Sequence, residues 1–350
     1  MTKESILVTG GCGFIGSEAV RRLVNEGYSV YNFDKLSYAS CPESLKNISK
    51  SNYTFLQGDL FNKNSIFEFL KISKPHYILN FAAESHVDRS IDGPIDFINS
   101  NIVGTYNLLE ASLDYFSNLN GEKKKLFKFI HISTDEVYGS LDFEENPFNE
   151  KSRYRPNSPY SATKASSDLL VRAWGKTYGL PFNISHSSNN YGPWQFPEKL
   201  IPLTVKNALK ERPIEVYGDG LNVRDWIHVS DHIDAIYKIM LKGKSGEVYN
   251  IGGNNELSNI DIVNLICNLL DKIHPKKNSN YSDLISFVPD RPGHDKRYGL
   301  DINKIMTELS WAPSIDFSEG IKNYIEWMLE NKDWLLNKSN NEERLGLRNK

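Results

Sequence analysis

Apolar residues fill the first half of the chain in short, nearly unbroken blocks that close on small or acidic residues. Such blocks run over Ile6–Gly10, Tyr28–Phe33, Tyr53–Gln57, Tyr77–Ala83 and Lys128–Ser133. Unbroken rather than alternating apolar character over this length marks strands covered on both faces, as in a parallel sheet. Between the blocks the period lengthens to that of a helix. One helix is expected from Ser17 to Asn25, stopping at Gly27. Another is expected from about Asp96 to Tyr115, with Ile98, Ile102, Leu108 and Leu109 packing and Asn101 facing elsewhere. Ser158 and Pro159 supply an N-cap and a first helical position for a third. With a further strand at Asn183–Ser187, the alternation predicts an α/β fold built on a doubly wound parallel sheet.

The second half is patterned differently. Gly192, Pro193, Pro197 and Pro202 break up the stretch after the last strand and predict an irregular, positioned loop. Glu215–Gly220 reads as a strand and turn, and Arg224–Val229 as another strand. Trp311, Trp327 and Trp334 fall among helical segments and are expected to pack. The chain therefore divides into a sheet domain at 1–188 and a smaller mixed α/β domain at 189–335, with some interleaving. A polar tail follows at 336–350, expected to fray from Lys338 onward.

Composition narrows the function classes. A net charge of -3 over 350 residues argues against an electrostatic nucleic-acid binder. Cys12, Cys41 and Cys267 are odd in number and far apart, which suits a reducing compartment and offers no zinc or redox spacing. The N-terminus lacks an apolar signal region, and no window approaches the ~18 apolar residues of a membrane span. A cytoplasmic protein without membrane association is expected.

Candidate chemistry begins where the first strand meets the first helix. Gly10, Gly13 and Gly16 stand there in the order that permits a tight turn, a close pyrophosphate and a tightly packed helix. Phosphates would sit on the helix N-terminus. Asp34 closes the second block, where a carboxylate binds a ribose 2′-hydroxyl and repels a 2′-phosphate, favouring NAD over NADP. Lys35 beside it works in the opposite direction. Asp59 after the third block can reach an adenine, and Ala82 and Ala83 let backbone pass close to a cofactor. These positions make the sheet Rossmann-type. The polar run Glu84–Ser90 should open into the same cleft, with His86 a hydrogen-bonded cleft residue rather than a metal ligand.

Thr134, Asp135 and Glu136 end the fifth block. Within a strand the two carboxyls would point to opposite faces, so they can share a substrate only if the backbone curls there. The alternative is a turn residue with a solvated neighbour. Tyr160 and Lys164 are four apart and share a helix face. A tyrosine base near neutral pH needs its pKa lowered by about three units, roughly 4 kcal/mol, and an ammonium nearby with a positive nicotinamide ring can supply that. A surface Tyr–Lys pair is the plainer reading. Arg224 and Arg291 suit a diphosphate as bidentate clamps, or else form structural ion pairs.

Over roughly residues 4–330 the chain resembles the nucleotide-sugar 4,6-dehydratases of the extended short-chain dehydrogenase/reductase superfamily. The marks are Gly10–Gly16, Ala82–Ser90, Ser133–Gly139, Tyr160 with Lys164, Ser188–Gly192, Glu198–Pro202, Arg224–Trp226 and Asp290–His294. The Thr-Asp-Glu signature separates this branch from the 4-epimerases. Two departures stand out: Cys12 occupies a usual alanine position, and Ser40-Cys41-Pro42 replaces a commoner Gly-Asn loop.

The resemblance implies a lyase that recycles NAD, with Thr134, Asp135, Glu136, Tyr160 and Lys164 catalytic and no metal. In that family the tyrosine takes the C4 hydroxyl proton while NAD⁺ takes the C4 hydride. Glu136 then removes the C5 proton, Asp135 protonates the departing C6 hydroxyl, and the hydride returns to C6 with reprotonation at C5. The cofactor site extends to Phe14, Ile15, Leu36, Ser37, Leu60, Phe81, Ser85, Ser100 and Asn190. The sugar-nucleotide site takes Ser85, Thr134, Asn189, Lys199, Leu200 and Glu215, then Tyr217, Arg224, Asn259, Asp290, Arg291 and His294. The substrate would be dTDP-glucose or UDP-glucose, on the way to rhamnose-type deoxysugars. A homodimer through the helices near 96–115 and 159–178 is also implied. A UDP-sugar 4-epimerase or decarboxylase, and a non-catalytic NAD-sensing protein, are the rival readings.

Overall fold

The computed structural model describes residues 4–338. The expected tail at 339–350 lies outside them. Lys338 itself is pinned, its Nζ 2.7 Å from Glu43 Oε1.

Six strands arise in the first half: β1 (Ser5–Thr9), β2 (Ser29–Asp34), β3 (Tyr53–Gln57), β4 (Tyr77–Asn80), β5 (Lys128–Thr134) and β6 (Phe182–Ser187). The second half adds β7 (Asn189–Tyr191), β8 (Ile214–Tyr217), β9 (Val223–His228), β10 (Val248–Ile251), β11 (Glu256–Ser258) and β12 (Ile285–Val288). One sheet takes seven of them in the order β10-β6-β5-β4-β1-β2-β3, and every pairing in it is parallel. The strand order reverses between β1 and β4, which places a ligand crevice at their carboxyl ends. The remaining strands form a mixed sheet, β11-β9-β7, and a parallel pair, β12-β8.

Side-chain alternation sorts the large sheet into two cores. Ile6, Val8, Leu79, Ile130 and Ile132 face one layer, joined by Ile236, Ile239 and Ile305 from the second half. Leu7, Ile78 and Phe129, one residue out of phase, face the other with Leu108, Leu109 and Val171. Each such buried side chain contributes about 1.5–3 kcal/mol. A separate core around Val216, Trp226, Ile262 and Tyr324 holds the smaller sheets together. Trp311 is buried in the first core, and Trp327 and Trp334 pack against the third with Trp194.

Two expectations need correction. β4 ends at Asn80, short of Ala83: the Phe81 N–H still donates to the Thr9 carbonyl at 3.1 Å, and beyond it the backbone passes over the glycine turn at Ala82. The expected 96–115 helix instead runs as Pro94–Phe97, a π turn at Ile98–Val103, and Gly104–Ser117. The wider turn rotates the faces, leaving Ile98 41% exposed while Asn101 is buried. π turns of this kind concentrate at functional sites.

One row across the sheet is polar. Thr9 Oγ1 donates to Asn80 Oδ1 (2.6 Å), and Asn80 Nδ2 donates to His131 Nδ1 (3.0 Å). His131 Nε2 faces Ser167 Oγ at 3.1 Å and Asp168 Oδ1 at 3.4 Å. Asp168 Oδ2 meets His186 Nε2 at 3.1 Å. His186 Nδ1 then meets the Tyr138 hydroxyl, which donates to Asn250 Oδ1 (3.0 Å). All these side chains are buried.

Candidate active site

The cleft opens where β1, β4, β5 and β6 end. Gly10 sits at φ +70°, and a Cβ there would lie 2.7 Å from the Ala82 backbone. Both the turn and the close pass of the β4 segment therefore require glycine. A Cβ at Gly16 would collide with the Gly10 carbonyl oxygen. The Phe14–Asn25 helix begins after Gly13 with no side-chain cap, so its first N–H groups are unspent and point at the cleft. This cradle fits a pyrophosphate.

Asp34 is held by three donors: the Cys12 N–H (2.9 Å), the Leu36 N–H (2.7 Å) and the Ser40 hydroxyl (3.1 Å). A carboxylate has about four acceptor sites, so one stays available for a ribose hydroxyl. Lys35 does not offset it, because its ammonium pairs with Glu84 Oε1 at 2.7 Å and Ser100 Oγ at 3.0 Å. The Phe81–Ser85 segment is fixed from behind by Asn101. Its amide accepts from Glu84 N (2.9 Å), donates to Glu84 O (3.0 Å) and donates to Thr163 Oγ1 (2.9 Å).

At the end of β5 the chain curls into a 3₁₀ turn, Asp135–Tyr138, capped by Thr134 Oγ1, which accepts from Glu136 N. The curl lets both carboxyls enter the cleft, as the strand geometry demanded. Gly139 closes the turn at φ +89°, against the Arg155 carbonyl. Burial and then the neighbouring Glu136 and Asp225 carboxylates push the Asp135 pKa well up, and Asp135 Oδ2 has no partner among the described residues. Burial raises Glu136 as well, but Arg291, Lys199 and Arg224 pull it down. Both carboxyls are thus held above the ordinary carboxylate range, Asp135 the further of the two, so the pair is asymmetric and Asp135 is the one that more readily keeps a proton.

Tyr160 and Lys164 lie on the Pro159–Tyr178 helix, which starts with a Ser158–Ser161 capping box. Tyr160 is buried in the cleft wall, and the Thr134 hydroxyl donates to Asp135 Oδ1 at 3.2 Å. Burial and Glu136 hold the Tyr160 pKa well above the ordinary value. Lys164 Nζ donates to Ile132 O at 2.8 Å and stands 3.5 Å from His131 Nε2. Burial lowers its pKa to about 8, opposed by Asp168. The four-residue spacing places both side chains on one helix face, and the lysine ammonium anchors on the β5 backbone.

The named residues do not all meet in one wall. The cleft is lined by Gly10, Gly13, Phe14, Ile15, Gly16, Asp34, Lys35, Ser37, Asp59 and Leu60, then by Phe81, Ala82, Ala83, Ser85 and Ser100. Thr134, Asp135, Glu136, Tyr160, Lys164, Asn189, Asn190 and Lys199 complete it among the expected residues. Leu36 touches Asp34 through its backbone and points outward. Leu200 opens the Leu200–Leu209 helix and packs on the third core. Glu215 is exposed between buried Ile214 and Val216, away from the cleft lining. Asn259 is the first residue of the Asn259–Ile273 helix.

The two arginines differ. Arg224 donates to the Val223 carbonyl at 2.7 Å and the Asp295 carbonyl at 2.9 Å, and stacks 4.3 Å over Tyr298. Among the described residues Arg291 is tied at one end, Nη1 to Asp88 Oδ1 at 2.8 Å, and its buried Nε has no partner. Tyr217 donates to the other Asp88 oxygen at 2.9 Å. His294 and the Arg291 N–H both reach Asp290 Oδ1. Asp88 was passed over in the sequence reading, although it lies within the polar Glu84–Ser90 run. Asp225 was missed too: it lies on β9, far along the chain from Asp135, and the Arg224–Trp226 run gave no sign that its carboxylate would face the Asp135 turn. His86 caps the Val87–Asp92 helix, and no cluster of metal-ligating side chains occurs among the described residues.

A dinucleotide cleft that opens onto a tyrosine, a lysine and two buried carboxyls defines a short-chain dehydrogenase/reductase-type enzyme. The family model described as GDP-mannose 4,6 dehydratase matches residues 7–324, and the chain belongs to that family. It is 52% identical over 342 residues to a dTDP-glucose 4,6-dehydratase of Shigella flexneri, covering 95% of this chain and 94% of that protein. Among solved structures it resembles the Bacillus anthracis dTDP-glucose 4,6-dehydratase in complex with NAD. There the TM-score is 0.83 at 42% identity, over 95% of this chain and 98% of that one. The Streptomyces venezuelae enzyme of the same name, also solved with NAD bound, gives 0.85 at 40% identity, over 94% and 98%.

Proposed function

We propose that this protein is an NAD-recycling dTDP-glucose 4,6-dehydratase that converts its substrate to dTDP-4-keto-6-deoxyglucose. The observation that carries the reading is the asymmetric carboxyl pair beside Tyr160. Elimination of water needs one carboxyl ionised and one protonated at the same pH, and the surroundings of Glu136 and Asp135 divide those states between them. NAD, held by Gly10–Gly16 and Asp34, supplies oxidation at C4 and reduction at C6 when bound. Tyr160 accepts the C4 hydroxyl proton, with Lys164 on the same helix face adding positive charge. The ketone so formed acidifies C5–H. Glu136 removes that proton, Asp135 gives its own to the departing C6 hydroxyl, and Glu136 returns a proton to C5 as C6 is reduced. Arg291, fixed at one end by Asp88, offers its free edge to the diphosphate.

The relatives named above support thymine over uracil as the base. An apolar pocket gains only about 10- to 200-fold from one methyl group, so dTDP-glucose should exceed UDP-glucose in kcat/KM by a ratio in that range. Mass spectrometry should show the loss of one water from the sugar nucleotide. An isomeric product of unchanged mass would instead point to an epimerase.

A homodimer in the cytosol is part of the same reading. No helix among the described residues is long and apolar enough to cross a membrane, and all three cysteines are free and buried. Ile95, Ile98, Tyr106, Leu169 and Tyr178 are exposed on neighbouring helices of one face, and Tyr106, Trp174 and Tyr178 form a continuous aromatic strip there. Apolar surface of this kind favours a covering partner. Light scattering at micromolar concentration should give twice the chain mass, and a monomer would remove this part of the proposal.

A further inference from the structure

Three chain segments that are distant in sequence meet across the mouth of the cofactor cleft. The first is the loop after β2, which carries Tyr38. The second is the Val87–Asp92 helix after β4, which carries Arg89. The third is the stretch before the Leu200–Leu209 helix, which carries Glu198. Glu198 joins the other two: its Oε1 accepts from the Tyr38 hydroxyl at 2.8 Å, and its Oε2 accepts from Arg89 Nε at 3.0 Å. The Arg89 guanidinium lies 4.0 Å over the Tyr38 ring, and Phe196 meets the same ring edge-on at 5.5 Å. A second line of ties runs alongside. Lys199 Nζ donates to the Ser85 carbonyl at 2.9 Å, and His86 Nε2 reaches the Glu198 carbonyl at 3.4 Å.

We propose that Tyr38, Arg89 and Glu198 form a clasp that retains the cofactor in the cleft from one turnover to the next. Ser37 and Ser40, on either side of Tyr38 in the chain, line the cleft together with Phe196, Glu198 and Lys199. The clasp thus ties the loop after β2 and the helix after β4 to the cleft-lining Glu198. The Glu198 side chain is only 12% exposed and that of Arg89 28%, so the pair is shielded more than a surface ion pair. Burial and the Glu198 carboxylate hold the Tyr38 phenol protonated, which keeps it a donor. The inference rests on the proposed reaction in one respect. An enzyme that oxidises and then reduces the same sugar ends each cycle with its cofactor as it began. Release is not a step of that cycle, and a closed clasp does not slow it.

The test separates retention from chemistry. Wild-type protein, Tyr38→Phe and Arg89→Ala are each loaded with NAD⁺ and desalted. The nicotinamide dinucleotide remaining per chain is measured, as is its release rate against labelled NAD⁺. Loss of one bond to a charged group is expected to raise release about tenfold to a hundredfold. Both variants should lose cofactor on the column and regain wild-type kcat when NAD⁺ is added back. Tyr38→Phe keeps the ring that Arg89 and Phe196 pack against, so it remains informative if Arg89→Ala folds poorly. Variants that hold NAD⁺ as long as wild type overturn the clasp, as does a wild type that releases it as fast as they do. Neither result depends on sugar-nucleotide turnover, which separately tests the proposed reaction.

Discussion

Glu136→Gln should stall the reaction between its two chemical stages. The amide keeps the shape of the side chain and loses only the ability to take a proton. Oxidation at C4 depends on Tyr160, Lys164 and the bound cofactor, and should survive. Elimination should fall by about 10²- to 10⁴-fold, the usual contribution of a positioned acid or base. Mixed with dTDP-glucose, the variant should therefore develop enzyme-bound NADH absorbance while forming almost no 4-keto-6-deoxy sugar. It should also fail to exchange the C5 hydrogen with D₂O. The surroundings of Glu136 make the expectation specific, since Arg291, Lys199 and Arg224 favour its ionised form. Dehydration at near wild-type rate would reassign the acid/base chemistry away from the Thr134–Glu136 turn.

Tyr160→Phe should act one stage earlier, and the two variants together order the steps. Burial and the nearby Glu136 hold this phenol protonated in the free protein. Its use as a base thus depends on the Lys164 ammonium and the positive nicotinamide ring that arrives with the cofactor. Removing the hydroxyl leaves the packing of the ring on Phe97 in place and should slow oxidation by about 10²- to 10⁴-fold. No NADH absorbance should then appear on mixing, while the amount of NAD⁺ bound stays unchanged. Rapid NADH formation by this variant would place the C4 base elsewhere, with Glu136 the nearest candidate.

Most of the sheet was legible because its strands are buried on both faces and so read as continuous apolar runs. The glycine turn, Asp34 and the curl at Asp135 were legible for a related reason: each needs a particular residue type at a particular backbone position. What escaped was whatever depends on distant segments meeting. Asp88 orienting Arg291 joins residues far apart in sequence, and Asp225 beside Asp135 joins two different sheets. Lys164 illustrates the limit of spacing arguments. Four residues fix the face it shares with Tyr160, but the β5 carbonyl at Ile132 decides where its ammonium goes. The π turn at Ile98–Val103 hid for a similar reason, since a helical period carries no mark of one widened turn until Asn101 finds its partners in the β4 segment.

The polar row through the sheet bears on how the strands find one another. Parallel strands made of valine, isoleucine and leucine are close to interchangeable, and burial alone hardly separates the right neighbour from a wrong one. A slip of one residue in β4 or β5 would turn Asn80 or His131 toward the opposite, hydrocarbon-filled layer. Each polar group left unpaired there costs about 1–3 kcal/mol. The row therefore works as an alignment key, penalising mispairing more than it strengthens the correct match. Its final tooth is Asn250 on β10, a strand that the chain supplies only after the smaller sheets have begun. Until β10 docks, Tyr138 lacks its amide partner and the β6 edge lies open, so the first sheet is completed from the second half of the molecule.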